Sequence, residues 1–341
     1  MKKQICGTFD MNWKIIVIFF LASCSSTIEE TSVSVYWWKN NVEITDEMLQ
    51  FKKSNNIQKV YCKVADFRFN KSRKKIDIPL IHDKLSLGKK DFVPVLYIEN
   101  DVFKHFTEDY IFKRFLETID RLKHRNIISE LTHIQIDCDW TLRTRDRYFQ
   151  FLNKLKSSCE VVGVTLRLHQ VKYYKTTGVP DIDYGVLMIY NLSSVADFEV
   201  ENSIYDYDLA LSYLKDYLHV YPLKIKAALP AFSWAAHFHH KRLVNILNFV
   251  TYKELLENEN LTQLNKNRFI STKAHFINAI PITKHDIIRY EEPDIESLKQ
   301  LLNFLKHEVN QDKLELIIFS LNAPFLINNQ NKYEEVLSAL N

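Results

Sequence analysis

The run Thr132-His-Ile-Gln-Ile-Asp-Cys-Asp-Trp-Thr141 alternates polar and apolar side chains, and its polar set gains carboxylates toward the C-terminal end. On an extended strand every second side chain shares a face. Gln135, Asp137, Asp139 and Thr141 therefore point one way, while Ile134, Ile136, Cys138 and Trp140 point the other. Two acids opposite a buried apolar face are costly unless they are paired or take part in chemistry. The run reads as the floor of an active site or ligand site.

Working outward, seven more strand-like runs accompany this one, His133–Asp139. They are Val33–Trp38, Lys59–Ala65, Phe92–Ile98, Val164–His169, Val186–Tyr190, Ile225–Ala231 and Leu316–Leu321. Amphipathic helices are expected between several of them, at Thr107–Arg125, Thr144–Lys156, Tyr207–Leu218 and Asp294–Val309. Strands alternating with helices at this density favour an α/β fold of the (β/α)8 barrel type, with the open doubly wound sheet as the alternative. The stretch from about 235 to 292 is too long for one helical crossover. It reads as a small α+β insertion between strands seven and eight, with short strands at Arg268–Ile270 and Asp286–Tyr290 and a helix at Tyr252–Asn258.

The first 23 residues read as an export signal. Lys14 precedes the apolar run Ile15–Ala22, which is too short to span a bilayer. Leu21-Ala-Ser-Cys24 closes it and resembles the lipobox of bacterial lipoproteins, whose cysteine is acylated and becomes the new N-terminus. Met11 is an alternative start for this signal. Residues 24–32 form a polar tether behind the lipidated Cys24, and 33–341 form the barrel. More than one acyl chain gives stable membrane anchoring. The expected location is thus the cell envelope; with no Asp at position 25, the lipoprotein sorting pattern favours the outer membrane.

Hydrophobic residues make up 46% and charged residues 26%, as in an ordinary globular body. Losing the leader, with three lysines and one aspartate, lowers the formal net charge from +3 to +1. That balance gives no reason to expect a nucleic-acid partner. With five glycines in 341 residues and no GxGxxG or phosphate loop, the common nucleotide folds are excluded and no cofactor is expected. Cys62, Cys138 and Cys159 read as core thiols. His237-Phe-His-His240 lacks the spacing of a zinc site, so it reads as a solvated loop and no metal is expected.

Function in such barrels gathers at the C-terminal strand ends. Those ends supply Trp37 and Trp38, Lys63 and Asp66, Glu99, Asp137 and Asp139, Arg167 and His169, Tyr190 and Asn191, Phe232 to Trp234, and Asn322. Acids, amides and aromatics together suit a polyhydroxylated ligand, an oligosaccharide or polysaccharide, whose rings stack on indoles while its hydroxyls need donors and acceptors.

Ile134–Thr141 resembles the fourth-strand DxxDxDxE motif of family 18 glycoside hydrolases, with Asp137 and Asp139 at its second and third acids. Met188-Ile-Tyr-Asn191 is similar to that family's sixth-strand MxYD, with Asn for Asp. Ala228-Leu-Pro-Ala-Phe232 and Phe319-Ser-Leu-Asn322 are similar to its seventh- and last-strand segments. Tyr36-Trp-Trp, Ile136-Asp-Cys-Asp-Trp-Thr, Arg167-Leu-His-Gln and Ala231-Phe-Ser-Trp more closely resemble a family of exported bacterial proteins of unknown function, over most of the mature chain. The family 18 resemblance implies a glutamate proton donor where this chain has Thr141, and a preceding aspartate that orients the substrate's N-acetyl group. Threonine does not donate a proton at neutral pH, and loss of a general acid typically removes ~10²–10⁴-fold in rate.

The expectation is a glycan-binding or glycan-hydrolysing protein. Asp139 polarises or orients substrate, Asp137 paired with Arg167 tunes it, and Glu99 is the proton donor if hydrolysis occurs. Trp38, Arg167, His169, Tyr190, Asn191, Trp234 and Asn322 would bind the sugar. A non-catalytic glycan receptor and an envelope scaffold are the alternatives.

Overall fold

A computed structural model describes residues 28, 30–38, 46–82, 92–248, 250–321, 326 and 329–338. Eight parallel strands close into a barrel. In chain order they are Glu30–Trp37, Lys59–Asn70, Phe92–Ile98, His133–Asp137, Val161–Arg167, Tyr184–Met188, Ile225–Pro230 and Lys313–Phe319. Each pairs with its neighbours, and the first closes the ring by pairing with both the second and the eighth. The closed (β/α)8 barrel displaces the open-sheet alternative.

The period-2 pattern sorts side chains into two layers. Ile134, Ile136, Cys138 and Trp140 face the surrounding helices in the larger core. The barrel's interior is a second cluster that includes Tyr36, Tyr61, Val95, Tyr184, Val186, Met188 and Tyr190. Gln135 reaches into that interior, its Nε2 donating to Tyr36 Oη at 2.5 Å. Gly163 is required there, because a Cβ would stand 2.1 Å from the Tyr184 ring.

Helices form where caps and apolar spacing agree. Thr107 accepts from the Tyr110 amide and opens Glu108–His124, which buries Ile111, Phe115, Ile119 and Leu122. Asp294 does the same through Ser297 for Ile295–Glu308, which buries Leu298, Leu301, Leu302 and Leu305. The helix expected over Tyr207–Leu218 stops at Leu214, and a separate 3-10 turn spans Leu218–Val220.

The insertion between strands seven and eight is an antiparallel five-stranded sheet with a small hairpin and the helix Tyr252–Glu257. Its strands are Trp234–His239, Arg242–Leu247, Leu261–Gln263, Arg268–Ser271 and Ile287–Glu291. His237 to His239 therefore belong to a strand, which corrects the expectation of a solvated loop. His237 is buried and His239 half-exposed, and both bond Asp286 at 2.7 Å. Burial opposes charge on Asp286, yet bonds from His239, His237 and Thr283 hold its carboxyl down to about 2. Among the described residues no group of three His, Cys, Asp or Glu side chains is arranged to hold a metal ion.

Arg289, fully buried, pairs with Glu291 at 2.8 Å and donates to the carbonyls of Val195, Asp197 and Val200. Glu291 also accepts from the Ser203 amide at 2.6 Å. This ion pair fastens the loop after the sixth strand to the insertion.

At the base of the barrel, Glu315 accepts from Ser34 Oγ at 2.6 Å, Tyr61 Oη at 3.0 Å and Lys226 Nζ at 2.8 Å. The Lys226 ammonium also sits 3.6 Å from the Tyr184 ring centre. Burial lowers the Lys226 pKa, while Lys226 overcomes the burial of Glu315 and lowers the carboxyl's.

Candidate functional site

The fourth strand ends at Asp137, so Asp137 lies inside the barrel and Asp139 on the exposed turn above it. Thr165 Oγ1 on the fifth strand donates to Asp137 at 2.7 Å. Burial pushes the Asp137 carboxyl up to about 6; the nearby charge of Asp139 adds to this, while Thr165, Arg167 and Lys63 pull the other way. Tyr97 on the third strand stands in register with Asp137. Its phenol, half-buried and near the charges of Asp137, Asp139 and Glu99, is pushed up to about 12, mainly by burial. At neutral pH Tyr97 is a hydrogen-bond donor rather than an acid.

Arg167 pairs with Asp139, not with Asp137. Its Nε and a terminal nitrogen each reach one oxygen of Asp139 at 2.9 Å. The cause is geometric. Arg167 is the last residue of its strand, and its long side chain reaches the turn above the fourth strand, whereas Asp137 lies lower and is satisfied by Thr165. Such a fork holds Asp139 in one orientation and neutralises it.

Beside this pair, Arg167, His169, Tyr190, Asn191 and Tyr213 share one open hollow. His169 sits not on the strand but on the helical turn Leu168–Lys172, opened by the Arg167 amide donating to Gln170 Oε1 at 2.8 Å. Asn191 takes a left-handed backbone, φ 53°, which asparagine tolerates better than most residues. Aromatic rings wall the mouth. Tyr190 stacks on Phe319 with centres 4.6 Å apart; Phe319 meets Trp38 at 5.7 Å, and Phe232 joins Tyr190 to Trp234 at 6.1 and 5.3 Å. Lys63 Nζ lies 5.1 Å from the Trp38 ring and 3.3 Å from buried Asp66. Trp37 faces the outer core instead.

Glu99 bonds toward the second strand. Its Oε2 accepts the Phe69 amide at 2.8 Å, tying the start of the next helix to the extension of strand two. Thr141 lies in the turn before the helix Arg145–Lys156, whose N-cap is Thr144. The Thr141 amide donates to Thr144 Oγ1 at 3.0 Å, and Thr144 Oγ1 donates to Asn100 Oδ1 at 2.5 Å. Asn322 and Cys24 lie outside the described residues.

No family model and no curated protein matches this chain. Solved structures do. The spore cortex-lytic enzyme SleL of Bacillus cereus is similar with a TM-score of 0.53 and 13% identity, over 92% of this chain and 75% of that one. SleL of Bacillus megaterium QM B1551 is similar at 0.55 and 13%, over 90% and 74%. The chitinase Chi1 of the Yersinia entomophaga toxin complex is similar at 0.54 and 11%, over 92% and 86%. The shared property is the barrel itself.

Tyr97, Thr165 and Tyr213 escape the sequence reading. Tyr97 follows Val93 and Val95 on the inward face, so alternation along the third strand could have found it. Tyr213 comes from a helix well beyond its strand, and nothing local marks it.

Proposed function

We propose that this protein is a lipid-anchored envelope protein that binds glycan at the barrel mouth, without the acid–base machinery of a hydrolase. The observation that carries this reading is the Arg167–Asp139 fork set beside an aromatic wall. A sugar ring can lie on Trp38 while Arg167, His169 and Asn191 meet its hydroxyls. The barrel likeness to a chitinase and to cortex-lytic enzymes favours N-acetylated glucosamine polymers as the ligand class.

Three features argue against family-18-type hydrolysis. Thr141 occupies the place of the acid, Asp139 is neutralised by Arg167, and Glu99 has one oxygen committed to Phe69. The location at the envelope, with the outer membrane as first expectation, follows from Cys24 alone.

A second reading, slow hydrolysis, is favoured by Asp137, a carboxyl inside the barrel that burial pushes up to about 6. Titration calorimetry with chitin oligosaccharides and peptidoglycan fragments, followed by mass analysis of the mixtures, separates the two. Binding with intact ligand supports the receptor. Shorter products that vanish in Asp137→Asn support hydrolysis, and no binding at all sinks both.

A further inference from the structure

The place where the chain enters the barrel decides which face of the molecule meets a membrane. Glu30 opens the first strand at the base, where its amide donates to the Asp312 carbonyl at 3.2 Å and its carboxylate pairs with Lys313. Ile28 packs against the outer core. In the sequence, Cys24 lies four residues before Ile28 and six before Glu30. At ~3.5 Å per extended residue, these stretches reach at most ~14 Å and ~21 Å. Acyl chains on Cys24 would hold the base within that distance of the bilayer.

The base is charged rather than apolar. Lys59, Lys224, Lys226 and Lys313 surround the entry point and are balanced by Glu30, Asp183, Asp312 and Glu315, with Lys226 paired to Glu315 and Lys313 to Glu30. Charged side chains are excluded from hydrocarbon, so this face would rest at the headgroup layer. Its balanced ammonium and carboxylate groups suit a headgroup layer that itself carries both signs. The mouth lies at the far end of the same strands, and the six steps of ~3.3 Å between Lys313 and Phe319 run ~20 Å along the strand.

We infer that the base of the barrel faces the headgroup layer of the membrane that holds Cys24, and that the mouth, with Asp139 and Arg167, faces away from it. The inference rests on the reading of Cys24 as the lipid anchor. It narrows the ligand class to glycan borne beyond that membrane, such as a wall polymer or an opposing surface. Glycan carried on lipids of the same leaflet would lie on the wrong side.

The test uses full-length protein from a host that processes lipoproteins, reconstituted into phosphatidylethanolamine–phosphatidylglycerol vesicles. Dye is placed on Asp312→Cys at the base or Arg143→Cys at the mouth. Cys62, Cys138 and Cys159 are buried and free, so the unsubstituted protein serves as the labelling blank. Energy transfer to a headgroup-labelled lipid should be roughly twofold or more higher from position 312, given the ~20 Å strand length. Mature protein should carry acyl mass and float with vesicles, while Cys24→Ala does neither. If the acylated protein floats but position 143 transfers equally or better, the orientation is wrong and the anchor stands. If it has no acyl mass and does not float, anchor and orientation fall together.

Discussion

Arg167 and Asp139 meet through two parallel bonds of 2.9 Å at the barrel mouth, while Asp137, two residues earlier, is satisfied by Thr165. The fork divides the carboxylate at the fourth strand's end and the one on the turn above it into separate tasks. Asp139 belongs to a charge-neutral, oriented surface open to ligand. Asp137 belongs to the interior.

Replacing Arg167 by Met should therefore damage binding more than folding. The pair is partly exposed, with side chains 31% and 54% accessible, so its loss should cost about 0–1 kcal/mol of stability. Glycan affinity should fall roughly tenfold or more, since a charge-assisted donor to sugar hydroxyls disappears. Urea denaturation and calorimetry on the same variant check the split.

The stability contributed at Asp137 should depend on pH with a definite sign. Its carboxyl titrates at about 6 in the folded chain, against ~3.9 unfolded. The folded state therefore holds a proton that the unfolded state releases between those values. Stability is fully present below pH ~4 and is lost as pH rises through 6, by about 2–3 kcal/mol in all. Asp137→Asn keeps an acceptor for Thr165 and removes the ionisation. Relative to the natural chain it should gain stability from pH 4.5 to pH 7.5, read from urea midpoints at the two values.

At the base, Lys226→Met leaves the Glu315 carboxylate buried beside only Ser34, Tyr61 and the more distant Lys59. Breaking one side of a buried pair costs about 3–5 kcal/mol, whereas removing both sides costs far less. Lys226→Met should lower the unfolding midpoint sharply, and Lys226→Met with Glu315→Leu should recover most of it.

Arg289→Met should release the loop after the sixth strand. The carbonyls of Val195, Asp197, Phe198 and Val200 lose a donor, Phe198 and Val200 keeping Arg268, and Glu291 loses its counter-charge. Hydrogen exchange should rise through 195–203, and limited proteolysis should cut there first, while barrel strands stay protected.

The barrel was legible because its strands obey period-2 alternation, so Ile134 and Ile136 could be assigned outward and Asp137 inward from the sequence alone. The strands of the insertion were harder. The partner of His237 and His239 is Asp286, 49 and 47 residues away, and no local pattern points to it. The partner of Arg167 was misassigned for a related reason. Strand adjacency brings Arg167 near both acids, but side-chain length and the end of the fourth strand at Asp137 select Asp139. Tyr213 reaches the hollow from a separate helix, which only the closed fold brings near.

The most direct test of the glycan-binding reading is calorimetric titration of the natural chain and its Arg167→Met variant with chitin oligosaccharides and peptidoglycan fragments, with the ligand weighed by mass spectrometry after several days. Saturable binding by the natural chain, weakened in the variant and leaving every ligand intact, is the predicted result. Absence of binding to the whole panel, or steady accumulation of shortened sugars, would contradict it.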